Sequence, residues 1–326
     1  MVDCKEVSNL NTIDLSSPDI TSSVYSLKQA CMDSGFFYIT NHGISEDFMD
    51  QVFNESKKFF DLPLEQKMKL LRNEKHRGYT PVFDETLDPQ HQLHGDYKEG
   101  FYMGIELPED DPEAQREFYG PNLWPDSDIL PLWRPTMEKY HQQALEVVRK
   151  IARLIALALD VDANFFNQPD ILGKPIATLR LLHYGAQVSD PVKGIYGAGA
   201  HSDFGFITLL ATDGVPGLQI CKNKDGTPRV WEYVEPLKGA FVVNIADMLE
   251  RWSNGIFRST LHRVLGNGQE RYSIPYFVEP SHDCVVECLP TCQSKLNPPK
   301  FPPIRCDKYL LQRYQDTHAD LSTYKP

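Results

Sequence analysis

The second half of the chain is dominated by short apolar runs separated by turn signals. From residue 176 onward, these runs are rich in β-branched and aromatic residues, which favour strands. The pattern predicts eight strands, at residues 177–184, 195–200, 205–211, 217–221, 229–233, 239–245, 257–265 and 271–279. Eight short strands at this spacing are typical of an antiparallel sandwich or barrel, and a jelly roll is the natural candidate.

The first half of the chain instead shows apolar positions three or four residues apart, which is the helical period. This spacing predicts helices at residues 23–34, 46–60, 64–71 and 132–159, with Ser45 as the N-cap of the second. Short strands are predicted at 11–15, 35–44 and 99–105, and a last helix at 307–320. Residues 73–130 are otherwise rich in Pro, Gly and Asp, which indicates loops. These loops either surround the mouth of a binding site or form a peripheral segment away from it.

Composition and charge narrow the class of partner. The chain has 326 residues, 41% of them hydrophobic, and a formal net charge of −12. Its basic residues form only short pairs such as Lys57-Lys58, which argues against binding to nucleic acid or to an anionic membrane. The most apolar helical stretch, 151–159, is too short to span a bilayer and contains Arg153.

The N-terminal sequence and the cysteines predict the cellular compartment of the protein. The N-terminus lacks the basic start and apolar core of a signal peptide. Seven cysteines, an odd number, are widely spread, which is typical of an intracellular chain with free thiols. We therefore expect a cytoplasmic protein with no nucleic-acid or membrane partner, and monomer is the default oligomeric state.

Two polar residues stand at the head of the apolar run in AHSDFGFITLL, residues 200–210. Because side chains alternate along a strand, His201 and Asp203 are expected on one face. Burying a carboxylate without a partner is costly, so either a cation or an ordinary hydrogen bond near the surface has to compensate. The pair alone leaves both interpretations open.

A second polar group is predicted from the turn in STLHRVLGNGQERYSIPYF, residues 259–277. The Asn-Gly pair at 267–268 is the strongest short-range signal of a β-hairpin. A two-residue turn there pairs Val264 with Arg271. It also pairs His262 with Ser273, and so predicts an imidazole, a guanidinium and a hydroxyl on one sheet face, provided that the register holds.

Together, the two stretches supply a set of metal ligands. His201, Asp203 and His262 are the ligand types of the facial triad that binds non-haem Fe(II) and leaves coordination positions open. Arg271 offers a fork for a distant carboxylate, and Ser273 adds a hydroxyl. A small dianion fits this arrangement, with a 2-oxo-carboxylate end at the iron and its far carboxylate at the arginine. That description matches 2-oxoglutarate.

Motifs over nearly the whole chain point to one family. The N-terminal motifs are TIDLSS and GFFYITNHGISEDF, and the C-terminal motifs are HSD, VVNIADMLERWSNGIFRSTLHRV and RYS. With these motifs, the chain resembles the plant-type 2-oxoglutarate- and Fe(II)-dependent dioxygenases, the superfamily that also contains isopenicillin N synthase. Within it, the chain resembles the group labelled hyoscyamine 6-dioxygenase-like.

The resemblance implies a site and a reaction. It implies three iron ligands, His201, Asp203 and His262. It also implies three residues that bind 2-oxoglutarate, Arg271, Ser273 and Tyr184. The family's usual Asn-Tyr-Tyr-Pro stretch here reads Leu-His-Tyr-Gly at 182–185. The implied reaction uses Fe(II), 2-oxoglutarate and O2, is supported by ascorbate, releases succinate and CO2, and hydroxylates the substrate as its default outcome.

The resemblance also implies an architecture, an α+β fold with a mainly β core. The core is a double-stranded β-helix, or jelly roll, with flanking N-terminal helices and a C-terminal helix. The expected division is a helical N-terminal region with short strands at 1–170, the Fe(II)/2-oxoglutarate core at 171–285, and a C-terminal extension at 286–326.

Three functions remain open on the sequence. The leading one is oxidation of a small, hydrophobic or aromatic specialised metabolite. The second is a related Fe(II) oxidase that does not consume 2-oxoglutarate, and the third is a non-catalytic small-molecule receptor or scaffold on the same fold. The sequence leaves the roles of His183 and of loops 73–130 open, although these loops and the C-terminal helix are expected to carry substrate specificity.

Overall fold

The computed structural model describes residues 6–319 and arranges most of its strands in two sheets. The larger sheet contains β1 (Thr12–Asp14), β2 (Phe36–Thr40), β3 (Gly78–Thr80), β4 (Glu99–Met103), β5 (Ile176–Tyr184), β7 (Ile207–Thr212), β10 (Phe241–Ile245) and β12 (Arg271–Glu279). The smaller sheet contains β6 (Ala198–His201), β8 (Leu218–Cys221), β9 (Trp231–Tyr233) and β11 (His262–Val264). The strands β13 (Val285–Val286) and β14 (Ile304–Arg305) pair separately.

The strand order within the sheets is that of an interleaved sandwich. The larger sheet runs β1-β2-β10-β7-β12-β5-β4-β3, and the smaller sheet runs β6-β11-β8-β9. Chain neighbours such as β6 and β7 therefore lie in different sheets. All eight strands predicted after residue 176 are present, and the core is the predicted jelly roll.

Helices flank this core as the helical period predicted. They are α1 (Ile20–Asp33), α2 (Glu46–Phe60), α3 (Leu64–Met68), α4 (Trp133–Ala158), α5 (Asp247–Trp252) and α6 (Cys306–Thr317). Short helical turns occur at Pro112–Gln115, Pro169–Gly173, Pro191–Lys193 and Pro290–Cys292. The predicted final helix is confirmed to Thr317, and residue 320 of its predicted span lies outside the described residues.

Helix starts follow from capping side chains. The Ser45 hydroxyl accepts a hydrogen bond from the Phe48 N–H, and Glu46 and Asp47 follow in the first turn, so the predicted N-cap of α2 is confirmed. At α1, the Asp19 side chain caps the helix, which therefore begins before the predicted residue 23.

Strand alternation divides the larger sheet into a helix-facing side and a side facing the smaller sheet. Along β12, Ile274, Tyr276 and Val278 belong to the main core, which also contains the apolar side chains of α4. A second apolar cluster contains Leu182 of β5 and Val242 of β10 together with residues of the smaller sheet, Leu218, Ile220 and Val264. The space between the two sheets is therefore partly filled by apolar side chains and partly available for a site.

The predicted hairpin at the Asn-Gly pair, residues 267–268, is wrong. β11 pairs with β6 and β8, whereas β12 pairs with β5 and β7 in the other sheet. The turn still uses the conformational freedom of glycine, since Gly268 has φ +90°. It carries the chain across the sandwich because both edges of β11 are already occupied by other strands.

The predicted strand alternation at His201 and Asp203 is also wrong. His201 is the last residue of β6, and Asp203 lies in the connection that leads to β7 in the larger sheet. The chain must leave one sheet for the other between these residues, so a regular strand cannot run through both.

Two other expectations, on membrane-spanning helices and on free cysteines, can be compared with residues 6–319. None of the helices in that range combines the length and the apolar character needed to cross a membrane. The six cysteines in the same range are free thiols.

Burial of a histidine beneath the sheet predicts a pH dependence of stability. His141 of α4 lies edge-on to the Tyr276 ring, and burial lowers its pKa from 6.5 to about 4. Between about pH 6.5 and pH 4, His141 therefore binds a proton in the unfolded chain but not in the native state. The free energy of unfolding falls as the pH drops through this range. We expect His141→Gln to remove roughly 2 kcal/mol of that loss.

The measurement is the free energy of unfolding of the wild type and of His141→Gln at pH 7 and at pH 4.5. Other buried histidines, such as His76 and His318, give both proteins a common background slope. Equal losses in the two proteins would contradict the prediction.

Candidate active site

Three potential metal ligands converge at the open end of the smaller sheet. His262 of β11 lies opposite His201 of β6, and their ring centroids are 4.3 Å apart. The Oδ1 atom of Asp203 lies 3.6 Å from His201 Nε2 and 3.5 Å from His262 Nε2. The three candidate ligand atoms all lie within 4.8 Å of one another. Within residues 6–319, His, Cys, Asp and Glu side chains form no other such group.

Backbone carbonyls orient the two imidazoles. His201 Nδ1 lies 2.8 Å from the Gly199 carbonyl oxygen, and His262 Nδ1 lies 3.1 Å from the Thr260 carbonyl oxygen. A carbonyl can only accept, so each Nδ1 carries a proton and donates it. The tautomer with a free Nε2 lone pair is thereby selected on both rings, as it is in metal-binding histidines.

Asp203 is oriented through only one of its two carboxylate oxygens. Its Oδ2 accepts hydrogen bonds from the Thr208 hydroxyl at 2.6 Å and from the Asn244 amide at 2.7 Å. Its main-chain carbonyl accepts from the N–H of Asp247, the first residue of α5. These contacts leave Oδ1 directed towards the two histidines.

Electrostatics favour a cation among the three side chains. Burial, followed by repulsion from His262, lowers the pKa of His201 to about 3. Burial opposes ionisation of Asp203, but its interactions with His262 and His201 outweigh that cost and lower its pKa. The Asp203 charge in turn raises the pKa of His262 against the effect of burial.

This donor set fits Fe(II). Two imidazole nitrogens and one carboxylate oxygen, held on one side of a cavity, are the ligands of the facial triad and leave further positions for a chelating co-substrate. Structural zinc sites, by contrast, are usually closed by four protein ligands.

A second polar group lies deeper between the sheets. Arg271 of β12 is the cross-strand partner of Tyr184 of β5, and its guanidinium carbon lies 4.9 Å from the Tyr184 ring centroid. Arg271 is 4% exposed, and although its Nε donates to the Val215 carbonyl, its buried Nη1 has no hydrogen-bond partner. A buried guanidinium with an unused donor fits the distal carboxylate of 2-oxoglutarate.

One cavity of about 90 Å³ brings all the predicted site residues together. Its walls include His201, Asp203, His262, Arg271, Ser273 and Tyr184. The hairpin argument placed His262, Arg271 and Ser273 on one sheet face, whereas the structure brings them together from two facing sheets. The cavity continues beyond the candidate ligands to a further polar group, formed by Glu85, Lys98, Arg180, Tyr102, His318 and Glu279.

The sequence analysis missed this further polar group and the support of Asp203. Thr208 was a strand residue without an assigned function. Alternation gives a signal for some of the others, because Glu279 has the same parity along β12 as Arg271, and Arg180 has the same parity along β5 as Tyr184.

The C-terminal segment forms part of the cavity wall. Tyr309 and Arg313 of α6 both donate to the Asp247 carboxylate, at 2.7 and 3.1 Å. After α6, the chain forms an antiparallel bridge between His318 and Glu85. Tyr314 of α6 and His318 after it both line the cavity, so the C-terminal segment contributes to its wall.

Comparison with known families decides the classification. A family model for the non-haem dioxygenase in morphine synthesis N-terminal region matches residues 10–127, and the model of the 2OG-Fe(II) oxygenase superfamily matches residues 176–280. The chain belongs to the 2OG-Fe(II) oxygenase superfamily. The C-terminal match contains all six predicted site residues of this oxygenase.

Characterised relatives of the oxygenase cover nearly its whole length. It is 50% identical over 314 residues to azadirone synthase LFS of Melia azedarach, a match that covers 96% of this chain and 94% of the relative. It is also 50% identical over 315 residues to kihadalactone A synthase LFS of Citrus sinensis, with the same coverage.

A solved structure gives the same fold. A full-length Neurospora crassa protein, crystallised in complex with alpha-KG, which is 2-oxoglutarate, superimposes with a TM-score of 0.81 and 32% identity. The match covers 96% of this chain and 99% of that one. The oxygenase is thus an Fe(II)- and 2-oxoglutarate-dependent dioxygenase.

The contacts of Asp203 Oδ2 predict how strongly the oxygenase holds iron. We expect Asn244→Leu and Thr208→Val each to raise the Kd for Fe(II) by about 10- to 100-fold, because the carboxylate is then free to rotate. Anaerobic titration with Fe(II) measures the effect. The same Thr→Val change at exposed Thr12 is the control, and an unchanged Kd in both site variants would contradict the prediction.

Proposed function

We propose that His201, Asp203 and His262 hold the catalytic iron of this dioxygenase. The convergence of their Nε2 and Oδ1 atoms within 4.8 Å, on the wall of one cavity, is the observation that carries this proposal. Bound iron and 2-oxoglutarate supply the oxidising chemistry, with succinate and CO2 as co-products. The protein's own contribution is to orient the ligands and to exclude water.

We also propose that Arg271, Ser273 and Tyr184 bind 2-oxoglutarate. The unused Nη1 of Arg271 supports this assignment, because a distal carboxylate would satisfy a buried cation that otherwise lacks one hydrogen bond. Ser273 is 1% exposed and lies two residues further along the same inward face of β12. Tyr184 packs beside the guanidinium, with 4.9 Å between the guanidinium carbon and the ring centroid, and so helps to position it.

Exclusion of water follows from the walls around these groups. Leu182, Leu218 and Val264 belong to the apolar cluster between the sheets and also line the cavity. An apolar wall lowers the local dielectric, which strengthens each charge contact in the site.

The substrate is proposed to be a small specialised metabolite. The two plant relatives are named as synthases of azadirone and of kihadalactone A, and this chain shares half of its residues with each. Phe204 and Phe277 line the cavity and favour an aromatic or hydrophobic substrate. Hydroxylation is the proposed default outcome, with ascorbate as a supporting reductant.

Further expectations from the sequence remain part of this proposal. They are a monomeric enzyme in the cytoplasm, and a division into an N-terminal region (1–170), a catalytic core (171–285) and a C-terminal extension (286–326).

The test is an anaerobic titration of the protein with Fe(II) and then 2-oxoglutarate, followed by visible spectroscopy. We expect a metal-to-ligand charge-transfer band in the wild type and its loss in His201→Ala. Arg271→Ala is expected to retain iron but to bind 2-oxoglutarate about a hundredfold more weakly, because truncation removes a buried charge pair. His94→Ala and Arg229→Ala change exposed residues of the same types and serve as controls.

The outcomes separate the three functions considered for the sequence. A band that behaves as expected, with 2-oxoglutarate-dependent succinate formation, supports the proposed dioxygenase site. Iron binding without the band would favour an oxidase that does not consume 2-oxoglutarate. Absence of iron binding would favour a receptor or scaffold.

A further inference from the structure

The inward face of β12 connects two chemically different halves of the cavity. Arg271 and Ser273 stand at its first end, and Phe277 and Glu279 follow at its other end with the same parity. At about 3.3 Å per residue, Arg271 and Glu279 are roughly 26 Å apart along the strand. Thr208, which supports Asp203, pairs with Phe277. Glu279 therefore lies beyond the iron ligands, in the half that the 2-oxoglutarate residues do not occupy.

Glu279 places a carboxyl oxygen without a hydrogen-bond partner in that half. The residue is 5% exposed, and its buried Oε2 has no hydrogen-bond partner. Gly205 allows the side chain to lie there, because a Cβ at that position would come within 2.5 Å of Glu279 Cγ. Burial, and then the nearby charge of Asp203, raises the pKa of Glu279 well above its usual value. A buried carboxyl without a cation beside it favours its neutral form, which has a proton to donate.

The charged side chains around this half neutralise one another. A Glu85 carboxylate oxygen lies 2.9 Å from Arg180 Nη1 and 2.7 Å from Lys98 Nζ. Lys98 also pairs with Asp96, so two cations meet two anions. Because burying an unpaired charge is costly, this half disfavours a substrate that brings a charge of its own.

The remaining polar groups of this half are uncharged. Burial lowers the pKa of His318 to about 4, so the imidazole is neutral. Its Nε2 shares a hydrogen bond of 2.9 Å with the Tyr102 hydroxyl. Among the described residues that line this half, the cations Arg180 and Lys98 are each paired with a carboxylate, although Arg180 Nε has no hydrogen-bond partner. The charges are therefore balanced, and a substrate carboxylate would add an anion without a positive charge to offset it.

We propose that Glu279 is a specificity-determining residue that donates a hydrogen bond to a carbonyl or hydroxyl oxygen of a neutral substrate. The inference rests on the proposed function, since it assigns the half of the cavity next to the proposed iron site. It deepens that function by naming the class of substrate, which is an uncharged, oxygen-bearing molecule. Phe204 and Phe277 then contact the apolar remainder of the substrate.

The first experiment observes the carboxyl group itself. Infrared difference spectra of the anaerobic Fe(II)–2-oxoglutarate enzyme compare the wild type with Glu279→Gln, which is expected to lack one protonated-carboxyl band. Two probes with the same ring, cyclohexanone and cyclohexanecarboxylate, are then added to the wild type. We expect the ketone to shift this band to lower frequency and the carboxylate to leave it in place.

The second experiment measures binding of the ketone, from the broadening of its proton NMR signals by the iron. Glu279→Leu is expected to bind cyclohexanone about tenfold more weakly, which corresponds to one lost hydrogen bond of about 1.4 kcal/mol. Glu279→Gln retains an N–H donor and is expected to keep most of the affinity. Glu287→Gln changes an exposed glutamate nearby and is the control.

Thermal stability distinguishes recognition from a structural role. Because the buried Oε2 lacks a hydrogen-bond partner, Glu279→Leu is expected to melt no lower than the wild type. A merely structural glutamate would show the reverse, with a lower Tm in Glu279→Leu and unchanged affinity for the ketone.

Several results would overturn the proposal. They are an absent carboxyl difference band, tighter binding of the carboxylate than of the ketone, no response to the ketone, or equal ketone affinity in Glu279→Leu and the wild type. The charge-transfer band is recorded before any probe is added. Its absence therefore refutes the proposed function, whereas its presence with a negative probe result refutes only the role of Glu279.

Discussion

The site depends on one buried charge, the carboxylate of Asp203. The residue is 5% exposed, and its cost of burial has to be met by a positive charge at close range. One oxygen is satisfied by Thr208 and Asn244 from the larger sheet, and the other faces two imidazoles of the smaller sheet. The carboxylate thus contacts side chains of both sheets, and the proposed metal ion would lie between it and the two imidazoles.

The two halves of the cavity differ in whether their charged side chains are paired. Around Arg271, the protein leaves a cation with an unused donor, which suits an anionic co-substrate. Around Glu85, it pairs each charge with an opposite one, which suits an uncharged ligand. This charge balance disfavours binding of the anionic co-substrate in the half around Glu85. An anion there would lose its hydration without gaining a positively charged partner.

Local patterns predicted much of this arrangement. The eight strands after residue 176 follow from β-branched and aromatic runs, and α2 follows from its apolar period and the cap at Ser45. The predicted donor residues do share one cavity. They were found because imidazole, carboxylate and guanidinium groups are unusual within apolar runs, and such exceptions stand out in a sequence.

Long-range pairing could not be predicted in the same way. The Asn-Gly pair at 267–268 predicts a local turn. Whether the flanking strands pair with each other depends on which other strands occupy their edges. Arg180 and Glu279 were visible as strand residues, yet their importance depends on which sheet face borders the cavity. That face is decided by α4 packing on the opposite side, which is a tertiary property.

Beside the cavity, the C-terminal segment contacts residues that the ribosome synthesises much earlier. Tyr102 and His318 are 216 residues apart in sequence, and Arg72 reaches the carbonyl of Ala319 over 247 residues. A ribosome releases the chain from its N-terminus onward, so both sheets can emerge before the segment that bridges to Glu85. During synthesis, the proposed place for iron and co-substrate can therefore form while the proposed substrate side is still incomplete, so the newly made enzyme would acquire its selectivity last.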